Sequence, residues 1–86
     1  MKTISIYKIN KIKDCLFRIF DAEDDDIPNR RIVKANERVI DNYLKDYSIE
    51  EQRELLSVIN WTNDNCTKNL EELGWVVERG IRKWIN

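Results

Sequence analysis

The 86-residue sequence has no histidine, only two glycines and a single proline. Without histidine, the chain lacks the commonest general base and the commonest metal ligand. An all-β domain needs a turn roughly every 8–12 residues, and so little glycine and proline cannot supply those turns. The composition therefore favours a helical protein and predicts that it is not an enzyme.

Cysteine is also scarce, because only Cys15 and Cys66 are present and they lie far apart in the sequence. A structural zinc site would lack two of its four ligands, and a cysteine nucleophile would lack a histidine base. We expect two free thiols in a reducing cytosol. The alternative is one disulfide that joins the first helix to a later helix.

No motif for a bound ion or phosphate is complete. An EF-hand loop that started at Asp21 would need glycine at its sixth position and glutamate at its twelfth, where this chain has Asp26 and Ile32. With two glycines in total, the sequence has no glycine-rich phosphate loop. We therefore predict no metal site and no cofactor.

Long apolar runs are missing as well. No run approaches the roughly 20 residues that a membrane-spanning helix needs. Lys8, Lys11 and Lys13 interrupt the apolar residues near the N-terminus, which does not fit a signal peptide. These features predict a cytoplasmic protein with no membrane contact. A chain of this length has room for one core, so residues 1–86 are expected to form a single helical domain.

The clearest helical pattern runs from Pro28 to Glu51. Apolar residues recur there with the spacing of one helix face, at Ile32, Val33, Val39, Ile40, Tyr43, Leu44 and Tyr47. Pro28 suits the first turn of a helix, where its missing N–H costs nothing. Ser48 and Glu51 fit a capping box, in which each side chain accepts a hydrogen bond from the backbone of the other. We predict a helix over about 28–46, a tight corner and a third helix after Ser48.

Residues 3–20 predict the first helix, because apolar residues recur with helical spacing at Ile9, Ile12, Leu16 and Ile19. Thr3 to Tyr7 also alternate as a short strand would. A helix is preferred there, because the sequence offers no evident partner for a lone strand. The acidic run from Asp21 to Asp26 is expected to form a solvated loop.

The third helix is expected to turn Leu55, Leu56 and Ile59 inward, but its end is ambiguous. The polar residues 62–65 favour a break near residues 63–65, followed by a fourth helix from about residue 66. The core face of that helix would consist of Leu70, Leu73, Val77, Ile81 and Trp84. The alternative is one helix from 49 to 73 that ends with Gly74 as its C′ residue. The fold predicted is an all-α, compact bundle of three to four helices, with or without a short N-terminal strand.

Charge is segregated along a chain whose net charge is −1. The predicted acidic partner-binding face consists of Asp21, Glu23, Asp24, Asp25, Asp26, Glu50, Glu51 and Glu54. The predicted basic partner-binding face consists of Arg30, Arg31, Lys34 and Arg38. The acidic face could imitate nucleic-acid phosphates in a basic groove of a partner, where charge sets specificity. The alternative is solvated surface with local ion pairs such as Lys34–Glu37 and Arg38–Asp41.

Tryptophan is the third candidate for partner binding, because it is enriched at binding hot spots. Trp61 and Trp75 lie off the apolar stripes of their segments, so one of the two is predicted to be partly exposed and available to a partner. Trp84 fits the core face. An exposed apolar patch that includes Trp61 or Trp75 would indicate a protein interface or a homodimer.

Scattered residues resemble the Hha/YmoA family of small helical nucleoid-associated modulators. They are Glu37-Arg38-Val39-Ile40, Tyr47, Ser48, Glu54-Leu55 and Trp84, and they extend over about half of the chain. The N-terminal lysines and the cysteines do not align with that family. The resemblance implies a regulator that works by binding another protein on DNA.

The leading hypothesis is a small non-catalytic module that inhibits or modulates a larger protein, such as a nucleic-acid-handling enzyme. Phage-encoded inhibitors of host defence nucleases, which include anti-CRISPR proteins, and bacteriocin immunity or antitoxin proteins share this profile of short, charged, helical chains. The alternative is a nucleic-acid-associated transcriptional modulator. Direct binding through a helix-turn-helix is disfavoured, because the third helix begins with Glu50 and Glu51, where phosphates would be met.

Overall fold

The structure is a computed structural model, and it describes residues 2–80. Its elements in chain order are β1 (Thr3–Ser5), α1 (Ile6–Glu23), α2 (Arg30–Leu44), α3 (Ile49–Val58), α4 (Cys66–Glu72) and β2 (Val76–Glu78). The predicted small all-α bundle is confirmed, and at Thr3–Ser5 the structure has the short strand in place of the helix that was preferred there. None of the helices in this part of the chain is long and apolar enough to cross a membrane.

The two strands form a parallel pair in which Ile4 lies opposite Val77, and both side chains are buried. The expectation that β1 has no partner is wrong. Its partner comes from residues that were predicted to continue the fourth helix, so the placement of Val77 on a helical face is also wrong. Trp75, Val76 and Val77 are residue types that favour strands, and the end of α4 releases them for pairing.

α4 ends in a Schellman motif, which accounts for that release. The N–H of Gly74 donates to the carbonyl of Glu71 at 3.0 Å, and the N–H of Trp75 donates to the carbonyl of Leu70 at 2.9 Å. Gly74 has a φ of +92°, which glycine adopts more easily than any other residue. The structure therefore combines both predicted alternatives: the break in the 60s and the stop at Gly74.

α1 has the predicted length but lies three residues further along the chain, and α2 is shorter than predicted. α1 continues to Glu23, so the solvated loop begins at Asp24 rather than Asp21. α2 begins at Arg30, because Asn29 is its N-cap and its Oδ1 accepts a hydrogen bond from the N–H of Ile32 at 3.2 Å. Pro28 precedes the cap instead of opening the helix. A helix that opened at Pro28 would have Ile27 as its N-cap, and the isoleucine side chain cannot accept a hydrogen bond from a free N–H.

The predicted corner between α2 and α3 is confirmed. The N–H of Glu51 donates to Ser48 Oγ at 3.1 Å, and the N–H of Ser48 donates to Glu51 Oε1 at 3.0 Å, which completes the capping box. α3 ends at Val58, which is several residues earlier than expected.

Cys15 and Cys66 are both buried and free, as the reduced-thiol prediction requires.

The core joins all six elements. Its buried residues are Ile4, Ile9, Ile12, Cys15, Ile40, Leu44, Leu55, Ile59, Cys66, Leu70, Trp75 and Val77. Two residues predicted to face inward, Leu56 and Leu73, are each 43% exposed. The placement of Ile81 and Trp84 on the core face concerns residues outside the described part of the chain.

Candidate protein-interaction surface

An aromatic cluster lies where α1 meets the loop after α3. The rings of Phe17 and Phe20 on α1 contact the ring of Trp61, with centroid separations of 5.3 Å and 5.0 Å. Phe17 is 46% exposed and Phe20 is 47% exposed, while Trp61 is half-buried. The aromatic cluster thus presents three partly exposed rings beside the core, in the range of separations where aromatic pairs attract one another.

An apolar groove continues from this cluster between α1 and α3. One part, of about 260 Å³, has two polar residues, Glu23 and Asn60, in its lining. Its apolar lining residues are Leu16, Ile19, Phe20, Leu56, Ile59 and Trp61. A second part, of about 570 Å³, again has Leu16, Ile19 and Leu56 in its walls and extends to α2. We call the two parts together the α1–α3 groove. Leu56 therefore faces this groove, whereas its neighbour Leu55 fills the core.

The sequence places these side chains on the surface because α1 carries more apolar residues than one core face can hold. Ile9, Ile12 and Cys15 are buried, while Phe17 and Phe20 lie outside that stripe. A helix that packs against a core on one side needs only one apolar stripe. Phe17, Phe20 and Leu56 were not predicted as site residues, and this surplus of apolar positions is the signal that would have identified them.

Three carboxylates border the part of the groove near α2. They belong to Glu23 at the end of α1 and to Glu37 and Asp41 on α2. None of the three forms an ion pair with a residue in the range 2–80. Glu23 is also a member of the predicted acidic face, whereas Glu37 and Asp41 were predicted only as partners of basic residues. The groove therefore has apolar side chains from α1 and α3 in its walls and carboxylates at this edge.

The predicted acidic face is divided between two parts of the fold: the end of α1 with the loop after it, and α3. The five carboxylates of the run from Asp21 to Asp26 lie at the C-terminal end of α1 and in the following loop, where they are all exposed. Glu50, Glu51 and Glu54 lie on α3, and Glu54 pairs with Lys2, which precedes β1.

Glu54 is held by internal contacts. Its Oε1 accepts hydrogen bonds from the indole Nε1 of Trp75 and from Lys2 Nζ, the latter at 2.8 Å. The hydrogen bonds from Lys2 and Trp75 hold the pKa of the Glu54 carboxyl below its usual value. Glu51 has a lowered pKa chiefly because the N–H of Ser48 donates to it in the capping box. Both carboxylates therefore serve the fold.

The two candidate tryptophans have different environments. Trp75 is 3% exposed and packs in the core, with its ring 5.7 Å from that of Tyr47. Trp61 is half-buried and belongs to the aromatic cluster. Of these two, only Trp61 has surface that a partner could reach.

The predicted basic residues do share one exposed face. Arg30, Arg31, Lys34 and Arg38 lie within an arc of about 100° on α2, at about 100° of rotation per residue. We call this face the α2 basic stripe. The local ion pairs predicted with Glu37 and Asp41 do not form in the described part of the chain, where no member of the stripe has an ion-pair partner.

The other titratable groups with shifted pKa values are Cys15, Tyr43 and Tyr47, and all three pKa values are raised. Burial raises the pKa of the Cys15 thiol and that of the Tyr47 phenol. The Tyr47 hydroxyl donates a hydrogen bond to the carbonyl of Thr3 at 2.7 Å, which ties the corner after α2 to β1.

Between residues 2 and 80, no three histidine, cysteine, aspartate or glutamate side chains are grouped so that they could hold a metal ion.

Comparison with known proteins identifies no related protein. No protein-family model matches this chain, and neither the curated proteins nor the solved structures include a significant match. The resemblance to the Hha/YmoA family is therefore limited to the scattered residues quoted above.

Proposed function

We propose that this protein is a small interaction module that inhibits or modulates a larger protein by binding it through the aromatic cluster and the α1–α3 groove. The observation that supports the proposal most is that the exposed apolar side chains are contiguous. Isolated apolar residues are normal on protein surfaces, but contiguous apolar patches surrounded by charge are typical of interaction sites. Aromatic residues are also enriched in the centres of such interfaces.

A partner that covered this surface would gain appreciable free energy. Burying a large apolar side chain completely is worth about 1.5–3 kcal/mol, and Phe17, Phe20 and Leu56 are each a little less than half exposed. Covering the exposed part of all three would contribute on the order of 3 kcal/mol before the costs of association. That is the size of contribution expected from the hot spot of an interface.

The class of modulator stays the one predicted from sequence: an inhibitor of a host defence nuclease, or an immunity or antitoxin protein. Its support is the small size, the high charge and the absence of histidine. We propose a cytoplasmic location, because two buried free thiols suit a reducing compartment. No catalytic role is proposed.

The test is a pull-down with the tagged protein from a nuclease-treated lysate of its source cells, at low and moderate salt, with mass spectrometry of the retained proteins. The groove variant carries Phe20→Ser and Leu56→Ser. The control variant carries Ile49→Ser and Val76→Ser, two apolar residues that are 63% and 61% exposed away from the groove. Circular dichroism checks that both variants are folded.

We expect the wild type and the control variant to retain the same protein, and the groove variant to lose it. Retention of that protein by the folded groove variant would contradict the proposal. Retention of no protein by the wild type at either salt would contradict it as well.

A nucleic-acid-associated modulator is the second candidate, and the α2 basic stripe favours it. Four cations without ion-pair partners in the described chain could contact phosphates along one helix. The same pull-down without nuclease tests this function. DNA that co-purifies with the wild type, but not with an Arg31→Glu, Arg38→Glu variant, would support it over the first candidate.

A further inference from the structure

Building on the proposed function, we propose that the α1–α3 groove binds a basic amphipathic α-helix of the partner protein. The inference rests on two properties found together: a groove with apolar walls between helices, and an edge of unpaired carboxylates. An amphipathic helix with lysine or arginine beside its apolar face is complementary to both. If the proposed function is wrong, this inference has no partner to describe.

The shape of the groove favours a helix as its occupant. Leu16 and Ile19 are one turn apart on α1, and Leu56 on α3 faces them across the groove. Grooves between helices recurrently take the apolar face of another helix, which is anchored at positions i, i+3 or i+4, and i+7. Such a set of anchors covers two turns, or about 10 Å along the helix. Phe20 and Trp61 extend the apolar wall at one end.

The charge of the groove edge favours a basic helix, because the described residues that line the groove include three carboxylates and no lysine or arginine. Arg30 and Lys34 of the α2 basic stripe border Glu23 and Glu37 on the side away from the groove. Glu37 and Asp41 are four residues apart on α2, so their side chains lie on the same side of that helix, one turn apart. Glu23 adds a third carboxylate from α1. Asp24, which is the C-cap of α1, is the first residue of an exposed acidic loop that adds further negative charge nearby. A lysine or arginine on the flank of the bound helix would meet opposite charge, and an acidic flank would be repelled.

A second copy of this chain is a weaker candidate. A symmetric dimer with the two grooves face to face would bring like carboxylates together. The alternative is docking of the outer face of α2, where Ile32 and Val39 are each 42% exposed next to the α2 basic stripe. That contact joins two different surfaces of the protein, so each added copy would leave a free surface for the next one. The result would be an open filament unless the copies closed into a ring. Sedimentation of the purified protein tests this occupant.

The experiment is a display selection on the purified protein with helical peptides about 16 residues long. The peptides have fixed leucines at i, i+4, i+7 and i+11, and their other positions vary among lysine, glutamate, glutamine, serine and alanine. The same library is selected in parallel on the groove variant, Phe20→Ser with Leu56→Ser. The affinity of one enriched peptide is then measured by fluorescence polarisation.

We expect wild-type protein to enrich peptides that are more basic than the input library, and the groove variant to enrich none of them. Glu37→Gln with Asp41→Asn should weaken binding of the enriched peptide by about threefold to tenfold, the range for exposed ion pairs. The matched control, Asp46→Asn with Glu50→Gln, removes one aspartate and one glutamate outside the groove and should leave the affinity unchanged.

The inference is overturned if the enriched peptides are neutral or acidic, if they bind the groove variant equally well, or if both carboxylate variants bind alike. Concentration-dependent self-association that the groove variant abolishes would replace the partner helix with a second copy. If the pull-down depends on the groove but no basic peptide is enriched, the proposed function stands and the helix inference falls. If the pull-down also fails, both are wrong.

Discussion

The indole of Trp75 donates a hydrogen bond from Nε1 to Oε1 of Glu54, 21 residues earlier in the chain. Lys2 Nζ lies 2.8 Å from the same oxygen, so one carboxylate on α3 connects the residues that precede both strands. The Trp75 ring packs against Tyr47, whose hydroxyl donates to the carbonyl of Thr3. Two strands of three residues each are too short to be stable alone, and these contacts hold them in place.

Glu54→Gln is expected to lower the stability of the fold near pH 7, because glutamine has no charge to attract Lys2. In the folded state the pKa of Glu54 is lowered by the hydrogen bonds from Lys2 and Trp75. As the pH falls, the unfolded chain therefore takes up this proton first. The stabilisation is complete above the ordinary carboxyl pKa of about 4.3 and is lost as the pH falls through the lower folded-state pKa.

Urea denaturation of the wild type and the variant, near pH 7 and at about pH 2.5, measures this effect. The two stabilities should differ at the higher pH and converge at the lower one. Glu50→Gln is the control, because Glu50 is exposed and no ion pair engages it in the described chain. A difference that persisted unchanged at low pH would show that charge is not the cause.

Gly74→Ala should destabilise the protein by about 1–2 kcal/mol, because a φ of +92° is costly for a residue with a Cβ. A Cβ at this position would meet no atom within 4 Å, so the cost comes from the backbone and not from a clash. If residue 74 were inside a helix, the same substitution would stabilise the protein by about 1 kcal/mol. The sign of the change in thermal or urea unfolding therefore distinguishes the Schellman turn from a continuous helix.

Leu70→Ala and Leu73→Ala form a matched pair on α4 and at its end. Leu70 is fully buried and should lose about 2–5 kcal/mol of unfolding free energy when it is truncated. Leu73 is 43% exposed, so its truncation should cost about 1 kcal/mol or less. Equal losses in urea denaturation would mean that both residues face the core, as the continuous helical pattern predicted.

The two thiols should react slowly with a disulfide reagent in the native protein at neutral pH. Cys15 is 5% exposed and Cys66 is 4% exposed, and burial raises the pKa of the Cys15 thiol, which lowers its thiolate fraction. In denaturant both should react at once. A melting temperature that fell on addition of reductant would instead reveal a disulfide and contradict the free thiols seen here.

The predicted sites were only partly visible in the sequence. The residues of the α2 basic stripe share one exposed face, because residues on a single helix keep their relative positions wherever that helix packs; that this face binds a partner stays a prediction. The acidic face was divided, because its members lie on different elements. The sequence also could not distinguish two neighbouring residues, Leu55 and Leu56. The pattern allowed both to face inward, and only packing decided which one fills the core.

The sequence by itself determined much of the local structure: the first helix, the capping box at Ser48 and the break before α4, while the stop at Gly74 was one of two alternatives that the pattern left open. Each depends on side chains and backbone groups within a few residues of one another, so their spacing is legible in the chain. Tertiary structure alone decided the pairing of Ile4 with Val77, the burial of Trp75 against Glu54 and the exposure of the aromatic cluster. These contacts join residues that are distant in sequence, and they form only when the helices have docked.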